Sequence, residues 1–401
     1  MFADPGPTVG RAIALAACLA LGVLAVSRAD DSRKEYAGPW DLASLRAAPA
    51  FTFEKRGPKL SSLFYANEPY RGRPTRVFAY YARPEQGKGP FPAMVLVHGG
   101  GGKAFPQWAG MWADRGYAAL AMDLGGVGPD GKRTDDAGPA QGDVTRFQPD
   151  ELKDVWSYHA VAAVVRGVSL LAAMPEVDSD RIGITGISWG GYLTCIVAGL
   201  DDRLKVAVPV YGCGFIHENS AWIPIFRKMP DAKRRAWIYN YEPSRYLAQC
   251  RMPVLFVNGT NDFAYPLDSY QKSYRLVGNR TLCVTVKMPH GHQPGWKPRE
   301  IGIFVDQHLR GGKSLQRVES VKRRGSQVKV KFSSEFPIEK AALHCTTDAC
   351  IWPKRKWQTS KATLEGGTAT AVLPETRPIV YFVTLTDSRG ATVSTEHEAL
   401  E

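Results

Sequence analysis

Short apolar runs alternate with helical patterns over the first three quarters of the chain. Strand-like runs of mostly apolar residues lie at 92–97, 117–124 and 204–210. Between them, apolar residues recur every three or four positions, as an amphipathic helix requires. One such helical face consists of Val161, Val164, Val168 and Leu171. Strands separated by helices predict a mainly parallel sheet that is covered on both faces.

The pattern changes at Gly311-Gly312-Lys313, where the helical periodicity stops. Short alternating runs follow at 328–332, 369–373 and 379–385, separated by Gly, Pro and Asp turns. Short strands at this spacing are typical of a β-sandwich of immunoglobulin or fibronectin type. We therefore predict two folded parts, an α/β part at 30–312 and a small β domain at 313–401.

The N-terminal residues show the pattern of a secretory signal. A fifteen-residue apolar run, 12–26, follows Arg11 and precedes Ser27-Arg28-Ala29. That run is too short to span a bilayer comfortably, but it suits the apolar region of a signal peptide. We expect residues 1–29 to be a signal peptide and the mature protein to be secreted or periplasmic, without stable membrane insertion.

Composition and charge narrow the classes of partner. The 401 residues are 44% hydrophobic and carry a formal net charge of +12, but the Lys and Arg residues are scattered and no nucleic-acid-binding motif is evident. We expect no nucleic-acid partner. The charge indicates either a solvated basic surface or attraction to acidic polysaccharides.

The motif Gly186-Ile187-Ser188-Trp189-Gly190 carries the strongest chemical signal. It follows a β-branched run at 181–185 and precedes an apolar helical run at 192–200. A G-x-S-x-G motif between a strand and a helix is the nucleophile elbow of α/β-hydrolases, which exposes the serine hydroxyl at a sharp turn. We predict that Ser188 is a nucleophile.

A serine nucleophile needs a base, and the base needs an orienting carboxylate, in the chain order Ser, Asp, His. Asp262 ends a turn-rich loop after the apolar run 252–257 and is the predicted acid; the alternative is a residue that only stabilises the turn. His290 and His292 both follow the next strand. We predict His292 as the base because Gly291 frees the loop to present it, with His290 and Trp296 contacting the substrate; the alternative is that His290 is the base.

The glycine run His98-Gly99-Gly100-Gly101-Gly102 follows another apolar strand, 92–97. Acyl transfer places negative charge on the carbonyl oxygen, and backbone N–H groups stabilise it. We predict that the amides of Trp189 and Gly100 form this oxyanion hole, with Gly101 as an alternative to Gly100. No metal or other cofactor is predicted.

Residues 212–249 interrupt the strand–helix alternation and are rich in aromatic residues. Hydrolases of this kind insert a cap at this point of the fold, so we predict a cap insertion at about 212–249. Its aromatic side chains either line a sugar-binding wall or form the cap's own core. They are Trp222, Phe226, Trp237, Tyr239, Tyr241 and Tyr246.

Taken together, the motifs at 98–102, 181–191, 208–214 and 289–292 resemble secreted bacterial α/β-hydrolases of the acetyl xylan esterase-like group, related to the catalytic domain of prolyl oligopeptidases. The resemblance implies an α/β-hydrolase fold and a serine hydrolase that acts through an acyl-enzyme. The expected activity is a carboxylic ester hydrolase that deacetylates polysaccharide. The alternative is a serine peptidase of the prolyl oligopeptidase type, acting on Pro-linked amides.

Overall fold

The computed structural model describes residues 1, 2, 4, 6, 36–142, 148 and 150–401. The chain divides into the units Met1–Glu35 and Tyr36–Glu401. The predicted signal peptide, 1–29, lies almost entirely outside the described residues. The second unit contains the helices and strands that the structure describes.

A nine-stranded sheet forms the centre of this unit, in the order β1-β2-β3-β5-β4-β6-β7-β8-β9. The first three strands and the β3–β5 pair are antiparallel, and the strands from β5 through β4 to β9 are parallel. The bounds are β1 Phe51–Lys55, β2 Leu60–Tyr70, β3 Arg73–Ala82, β4 Phe91–Val97, β5 Ala118–Met122, β6 Val177–Ile187, β7 Leu204–Val210, β8 Val254–Gly259 and β9 Arg280–Thr285.

Helices cover both faces of the sheet. The bounds are α1 Leu42–Leu45, α2 Pro106–Asp114, α3 Trp156–Ala172, α4 Trp189–Leu200, α5 Ile223–Lys228, α6 Asp231–Tyr241, α7 Ser244–Leu247, α8 Leu267–Arg275, α9 His292–Trp296 and α10 Arg299–Arg310. Helices α3 and α4 pack together, and Arg115, which ends α2, forms an ion pair with Asp306 of α10 at 2.6 Å. Among the described residues no helix is long and apolar enough to cross a membrane.

The predicted cap region lies between β7 and β8 and contains α5, α6 and α7. Its aromatic side chains divide between the two predicted roles. Phe226, Trp237, Tyr241 and Tyr246 are buried in the core, whereas Tyr239 is 53% exposed. Trp222 is half-buried, and its ring centroid lies 4.6 Å from that of Trp189, next to the predicted nucleophile. The insertion therefore contributes mainly core and one aromatic side chain close to the site.

The C-terminal residues form two antiparallel sheets, of order β10-β11-β15-β14 and β13-β12-β16-β17, with β18 paired to β16. The bounds are β10 Arg317–Arg324, β11 Gln327–Ser333, β12 Ile338–Thr346, β13 Gln358–Lys361, β14 Thr363–Glu365, β15 Thr368–Val372, β16 Ile379–Asp387, β17 Thr392–Ser394 and β18 Glu398–Leu400. The fold class predicted from the sequence, a mainly parallel α/β sheet followed by antiparallel β-structure, is confirmed.

The two parts share apolar and polar contacts along β9 and α10. Leu267, Val284 and Phe382 form a small buried cluster that includes side chains from both parts. The backbone N–H of Val284 donates to Ser394 Oγ at 3.1 Å, and that of Thr392 donates to Glu300 Oε1 at 2.7 Å. The domain boundary at 312/313 stays a prediction, but these contacts join the β-structure firmly to the sheet that carries the site.

Candidate active site

The turn at Ser188 has the backbone strain of a nucleophile elbow. Ser188 adopts φ 58° and ψ −116° between β6 and α4, outside the regions that a side chain normally favours. The flanking glycines are required by close packing: a Cβ at Gly186 would lie 2.1 Å from the carbonyl oxygen of Gly190, and a Cβ at Gly190 would lie 2.0 Å from that of Val97. The predicted motif context, strand followed by turn and helix, is therefore present.

Three side chains form a continuous chain of hydrogen bonds at this turn. Asp262 Oδ2 lies 2.6 Å from His290 Nδ1, and His290 Nε2 lies 2.9 Å from Ser188 Oγ. Because the carboxylate is an acceptor, Nδ1 carries the proton, which leaves Nε2 free to accept the serine proton. The Asp262 side chain is fully buried and that of His290 is 14% exposed. This is the geometry that activates a serine hydroxyl.

The expectation that His292 would lie between the serine and the carboxylate is wrong. His292 begins α9, two residues farther along, and its Nε2 accepts a hydrogen bond of 3.0 Å from the backbone N–H of Gly99. His290, which we expected to line the cleft, occupies the bridging position instead. Gly291 adopts extended backbone at φ 165°, and the turn after β9 lets the first histidine reach both partners.

Asp262 combines the two roles that the sequence left open. While Oδ2 contacts His290, Oδ1 accepts hydrogen bonds from the backbone N–H groups of Ala264 at 2.9 Å and Tyr265 at 2.8 Å. The same carboxylate thus stabilises its own turn and points at the histidine. We call residues 260–266 the acid loop.

The acid loop is attached to the C-terminal part through Asn261. Its Nδ2 donates to the carbonyl oxygens of Pro353 at 3.0 Å and Arg355 at 2.7 Å, in the segment between β12 and β13. Its Oδ1 accepts from Thr260 Oγ1 at 2.7 Å. An element outside the α/β sheet therefore helps to fix the residue next to Asp262, a role that sequence reasoning missed.

We expect the Asn261→Ala variant to lose stability and turnover together. Two carbonyl groups lose their donor, which costs about 1–3 kcal/mol of unfolding free energy when such groups are shielded from water. The loosened acid loop should also lower kcat for a small ester by about tenfold, because misplacement near a reacting group reduces rates steeply. Urea unfolding and steady-state kinetics would measure the two effects.

Ser394→Ala is the matched control for Asn261→Ala. It removes the acceptor of the Val284 N–H, another contact between the two parts, but it does not touch the acid loop. Its stability should fall by a similar amount while kcat stays within twofold of wild type. Equal kcat losses in Asn261→Ala and Ser394→Ala would show that turnover falls because of lost stability and not because the acid loop is displaced.

The glycine-rich segment 98–102, which we call the oxyanion loop, lies directly against the elbow. A Cβ at Gly99 would approach Ser188 Cβ to 2.9 Å, and a Cβ at Gly100 would approach Trp189 Cδ1 to 2.9 Å. The amide of Gly99 is engaged by His292, and that of Gly101 donates to Gln141 Oε1 at 2.9 Å. These partners disfavour Gly101 as the donor and leave Gly100 as the better choice, still a prediction.

Trp189 is the first residue of α4, where the N–H groups of a helix have no partner within the helix. Its amide therefore remains the second predicted donor to an oxyanion. Gln141 lies between β5 and α3 in the sequence and was not predicted as a site residue. Long polar loops are often functional, but no motif distinguished this glutamine from its neighbours.

Three aromatic side chains cluster next to the elbow that carries the serine. The Trp222 ring lies 4.6 Å from Trp189 and 5.1 Å from Tyr265, centroid to centroid. Tyr265 is fully buried, and its hydroxyl makes no hydrogen bond within the described part of the chain. Burial raises the pKa of this hydroxyl well above its ordinary value, whereas the nearby Ser188 hydroxyl lowers it. We call Trp189, Trp222 and Tyr265 the aromatic wall.

Two further aromatic residues contact His290, and sequence reasoning missed both. Tyr211, at φ 64°, stacks on the imidazole at 4.4 Å, and Phe263 lies 4.8 Å away while remaining 60% exposed. Trp296, a predicted substrate contact, packs at 5.3 Å from each of Phe105 and Trp108. The role of Trp296 in substrate binding stays a prediction. Phe263 is the exposed aromatic residue next to His290.

Parts of the chain are similar to known proteins. Residues 59–218 match the family model described as acetyl xylan esterase (AXE1). The chain is 28% identical over 148 residues to the putative hydrolase YtaP of Bacillus subtilis, covering 32% of this chain and 46% of that protein. It is 23% identical over 206 residues to the acetyl esterase Axe7A of Xylanibacter ruminicola, covering 47% of this chain and 46% of that protein.

Among solved structures, the fold is similar to that of the acetyl xylan esterase from Paenibacillus sp. R4. The TM-score is 0.55 at 20% sequence identity, over 67% of this chain and 92% of that chain. The chain spans about half the length of these two curated relatives (46% of each). The resemblance to acetyl xylan esterases predicted from the sequence is confirmed, and the relatives agree with the predicted class of carboxylic ester hydrolase.

Proposed function

We propose that this acetyl xylan esterase-like chain is a serine esterase that removes acetyl groups from polysaccharide through an acyl-enzyme. The observation that carries the proposal is the hydrogen-bonded chain Asp262–His290–Ser188, with distances of 2.6 and 2.9 Å. A carboxylate, an imidazole and a serine in this order support acyl transfer on several unrelated folds. The similarity to acetyl xylan esterases supports acetate as the acyl group.

In this proposal His290 Nε2 takes the proton of Ser188 as its Oγ attacks the acetyl carbonyl carbon. The carbonyl oxygen becomes an oxyanion, which the N–H groups of Gly100 and Trp189 stabilise. The C–O bond to the sugar then breaks, and the proton on His290 passes to the leaving sugar oxygen. A water molecule, deprotonated by His290, then attacks the acetyl-serine; the bond from Ser188 Oγ to the acetyl carbon breaks, His290 returns the proton to Ser188 Oγ, and acetate leaves. Asp262 holds the imidazole in the required tautomer and stabilises its charged form.

The aromatic wall supports a small acyl group. Trp189, Trp222 and Tyr265 pack together next to the elbow, and in this proposal they bound the acyl pocket and exclude a long acyl chain. The exposed Phe263 ring, next to His290, offers an apolar face on which a sugar ring can stack. For the place of action we propose the periplasm or the cell exterior, on the strength of the apolar run 12–26 after Arg11.

Release of acetate from acetylated xylan by the purified protein tests the proposal. Hydrolysis of p-nitrophenyl acetate and labelling of Ser188 by a fluorophosphonate should accompany it. Cleavage of a Pro-linked amide with no acetate release would favour the peptidase alternative and overturn the esterase assignment. Activity on p-nitrophenyl acetate but on no acetylated polymer would keep the esterase class and reject the polysaccharide substrate.

We expect Trp222→Ala to shift the acyl preference toward longer chains. Removing the indole opens the aromatic wall, and each methylene accommodated in an apolar pocket is worth about 1–3 kcal/mol of transition-state binding. The ratio of kcat/KM for p-nitrophenyl butyrate to that for the acetate should rise about tenfold or more. Steady-state kinetics with the two esters would measure it.

Tyr239→Ala serves as the control for that variant. Tyr239 belongs to the same insertion, is 53% exposed, and contacts Tyr36 rather than the wall. Its ratio should match that of wild type. If the Trp222 variant keeps the wild-type ratio while remaining folded, Trp222 does not bound the acyl pocket.

A further inference from the structure

The second histidine of the pair, His292, is free of the base role but lies at the centre of the site. Its Nε2 accepts the N–H of Gly99 at 3.0 Å, and its ring packs 4.8 Å from Phe105. Burial, with smaller contributions from the neighbouring His98 and His290, lowers the pKa of His292 to about 4. At neutral pH the ring is therefore uncharged, and its Nε2 can act as a hydrogen-bond acceptor.

His98 holds the other side of the same glycine. Its Nε2 accepts the N–H of Leu124 at 2.8 Å, so its Nδ1 carries the proton and donates to the carbonyl oxygen of Gly99 at 2.7 Å. The N–H of Gly102 donates to that oxygen as well, at 3.1 Å. Burial lowers the pKa of His98, which keeps this ring uncharged too.

These contacts fix two successive peptide groups. The N–H of Gly99 belongs to the peptide that follows His98, and the carbonyl of Gly99 belongs to the next peptide, which also carries the N–H of Gly100. A trans peptide is planar, and its C=O and N–H point in opposite directions. Anchoring the Gly99 carbonyl therefore fixes the direction in which the Gly100 N–H points.

The fit of the two rings against the loop is close. A Cβ at Gly102 would lie 2.6 Å from His292 Nε2 and 2.7 Å from His98 Nδ1. Glycine can adopt many backbone conformations. A glycine-rich oxyanion loop therefore needs contacts with other residues to stay aligned. The imidazoles supply these contacts where the loop meets the elbow.

We propose that His292 is a positioning residue that, together with His98, holds the oxyanion loop so that the Gly100 N–H faces the developing oxyanion. This inference rests on the proposed function for its catalytic consequence. It divides the roles within the sequence His290-Gly291-His292: the first histidine moves the proton, and the second aligns the loop that stabilises the charge.

His292→Gln and His292→Met form a matched pair for the test. Both side chains are unbranched and similar in length, but only glutamine presents a strong acceptor near the position of Nε2. We expect His292→Met to lower kcat for p-nitrophenyl acetate by about 10–100-fold, since loss of one oxyanion donor costs about 10²–10³ in kcat. KM should stay within twofold, and His292→Gln should recover most of the lost kcat.

A trifluoromethyl ketone measures the same effect without turnover. Its adduct with Ser188 carries an oxyanion, so its inhibition constant should rise in the Met variant in proportion to the loss of kcat. Equal kcat values for the Gln and Met variants, or an inhibition constant that does not change, would overturn the proposal. A Met variant that loses thermal stability but keeps kcat would overturn it as well, by assigning His292 a merely structural role.

Hydrogen–deuterium exchange of residues 98–102 tests the anchoring independently of any esterase activity. Exchange of this segment should be faster in the Met variant than in wild type or the Gln variant. Unchanged exchange would reject the anchor even if the protein proves to be an active esterase. If exchange is faster in the Met variant but the wild-type protein hydrolyses no ester, the anchor is retained and the proposed function is rejected.

Discussion

Replacing Ser188 with alanine should abolish ester hydrolysis, with a loss on the order of 10⁴-fold or more in kcat. The change removes one oxygen from a half-buried turn and leaves the packing of Gly186 and Gly190 intact. Alanine and serine both carry a Cβ, so the backbone strain at φ 58° is similar in the two proteins. Circular dichroism and the midpoint of urea unfolding should therefore match wild type.

Measurement of p-nitrophenyl acetate hydrolysis over long incubations would quantify the residual rate. Loss of labelling by a fluorophosphonate would accompany it, since Ser188 Oγ is the expected site of attachment. Activity within tenfold of wild type, in a protein with unchanged unfolding, would remove Ser188 as the nucleophile and with it the acyl-enzyme mechanism.

Replacing His290 with alanine should cost about as much as replacing Ser188. Nucleophile and base act as one unit, so losing either removes the same catalytic step. His292→Ala is the matched control, two residues away and also beside the oxyanion loop. Because it leaves the Ser188–His290–Asp262 chain intact, its kcat should exceed that of His290→Ala by about 100-fold or more.

Two further measurements separate the histidines. Added imidazole should restore part of the activity of His290→Ala, because a free base can enter the space left beside Ser188, and it should do nothing for His292→Ala. The reverse order of losses would return the base role to His292 and would contradict the distances from His290 to Ser188 and Asp262.

The histidine choice illustrates a limit of reasoning from sequence. Both histidines follow β9 within a few residues, and both lie close to the serine. Which of them bridges Ser188 and Asp262 depends on how tightly the chain turns after β9, and on the position of the oxyanion loop, which takes up the second ring. Neither the tightness of that turn nor the position of the oxyanion loop can be predicted from the residues around the histidines.

Contacts between distant segments were missed for the same reason. Gln141 is 40 residues from Gly101, and Asn261 is 94 residues from the carbonyl of Arg355 that it binds. Each is a polar residue in a loop and looks like a solvated side chain in sequence. Only the packing of the loops shows that one meets the oxyanion loop and the other holds the acid loop.

The sequence by itself determined the elements whose causes are local. Alternating apolar strands and helical patterns defined the α/β sheet and the change to β-structure near residue 312. The glycines around Ser188 identified the elbow, because only glycine allows a strand and a helix to meet so closely. The position of Asp262 followed from its place after a buried strand.

Only the tertiary structure decided which residue takes each role in the site. It selected His290 as the bridge, turned His292 and His98 toward the Gly99 peptide, and brought the C-terminal segment 352–355 against Asn261. Hydrogen-bond partners and ring contacts across tens or hundreds of residues depend on how whole layers pack. A hydrophobic pattern fixes which face of an element is buried, but it does not fix which of two neighbouring polar side chains meets a distant partner.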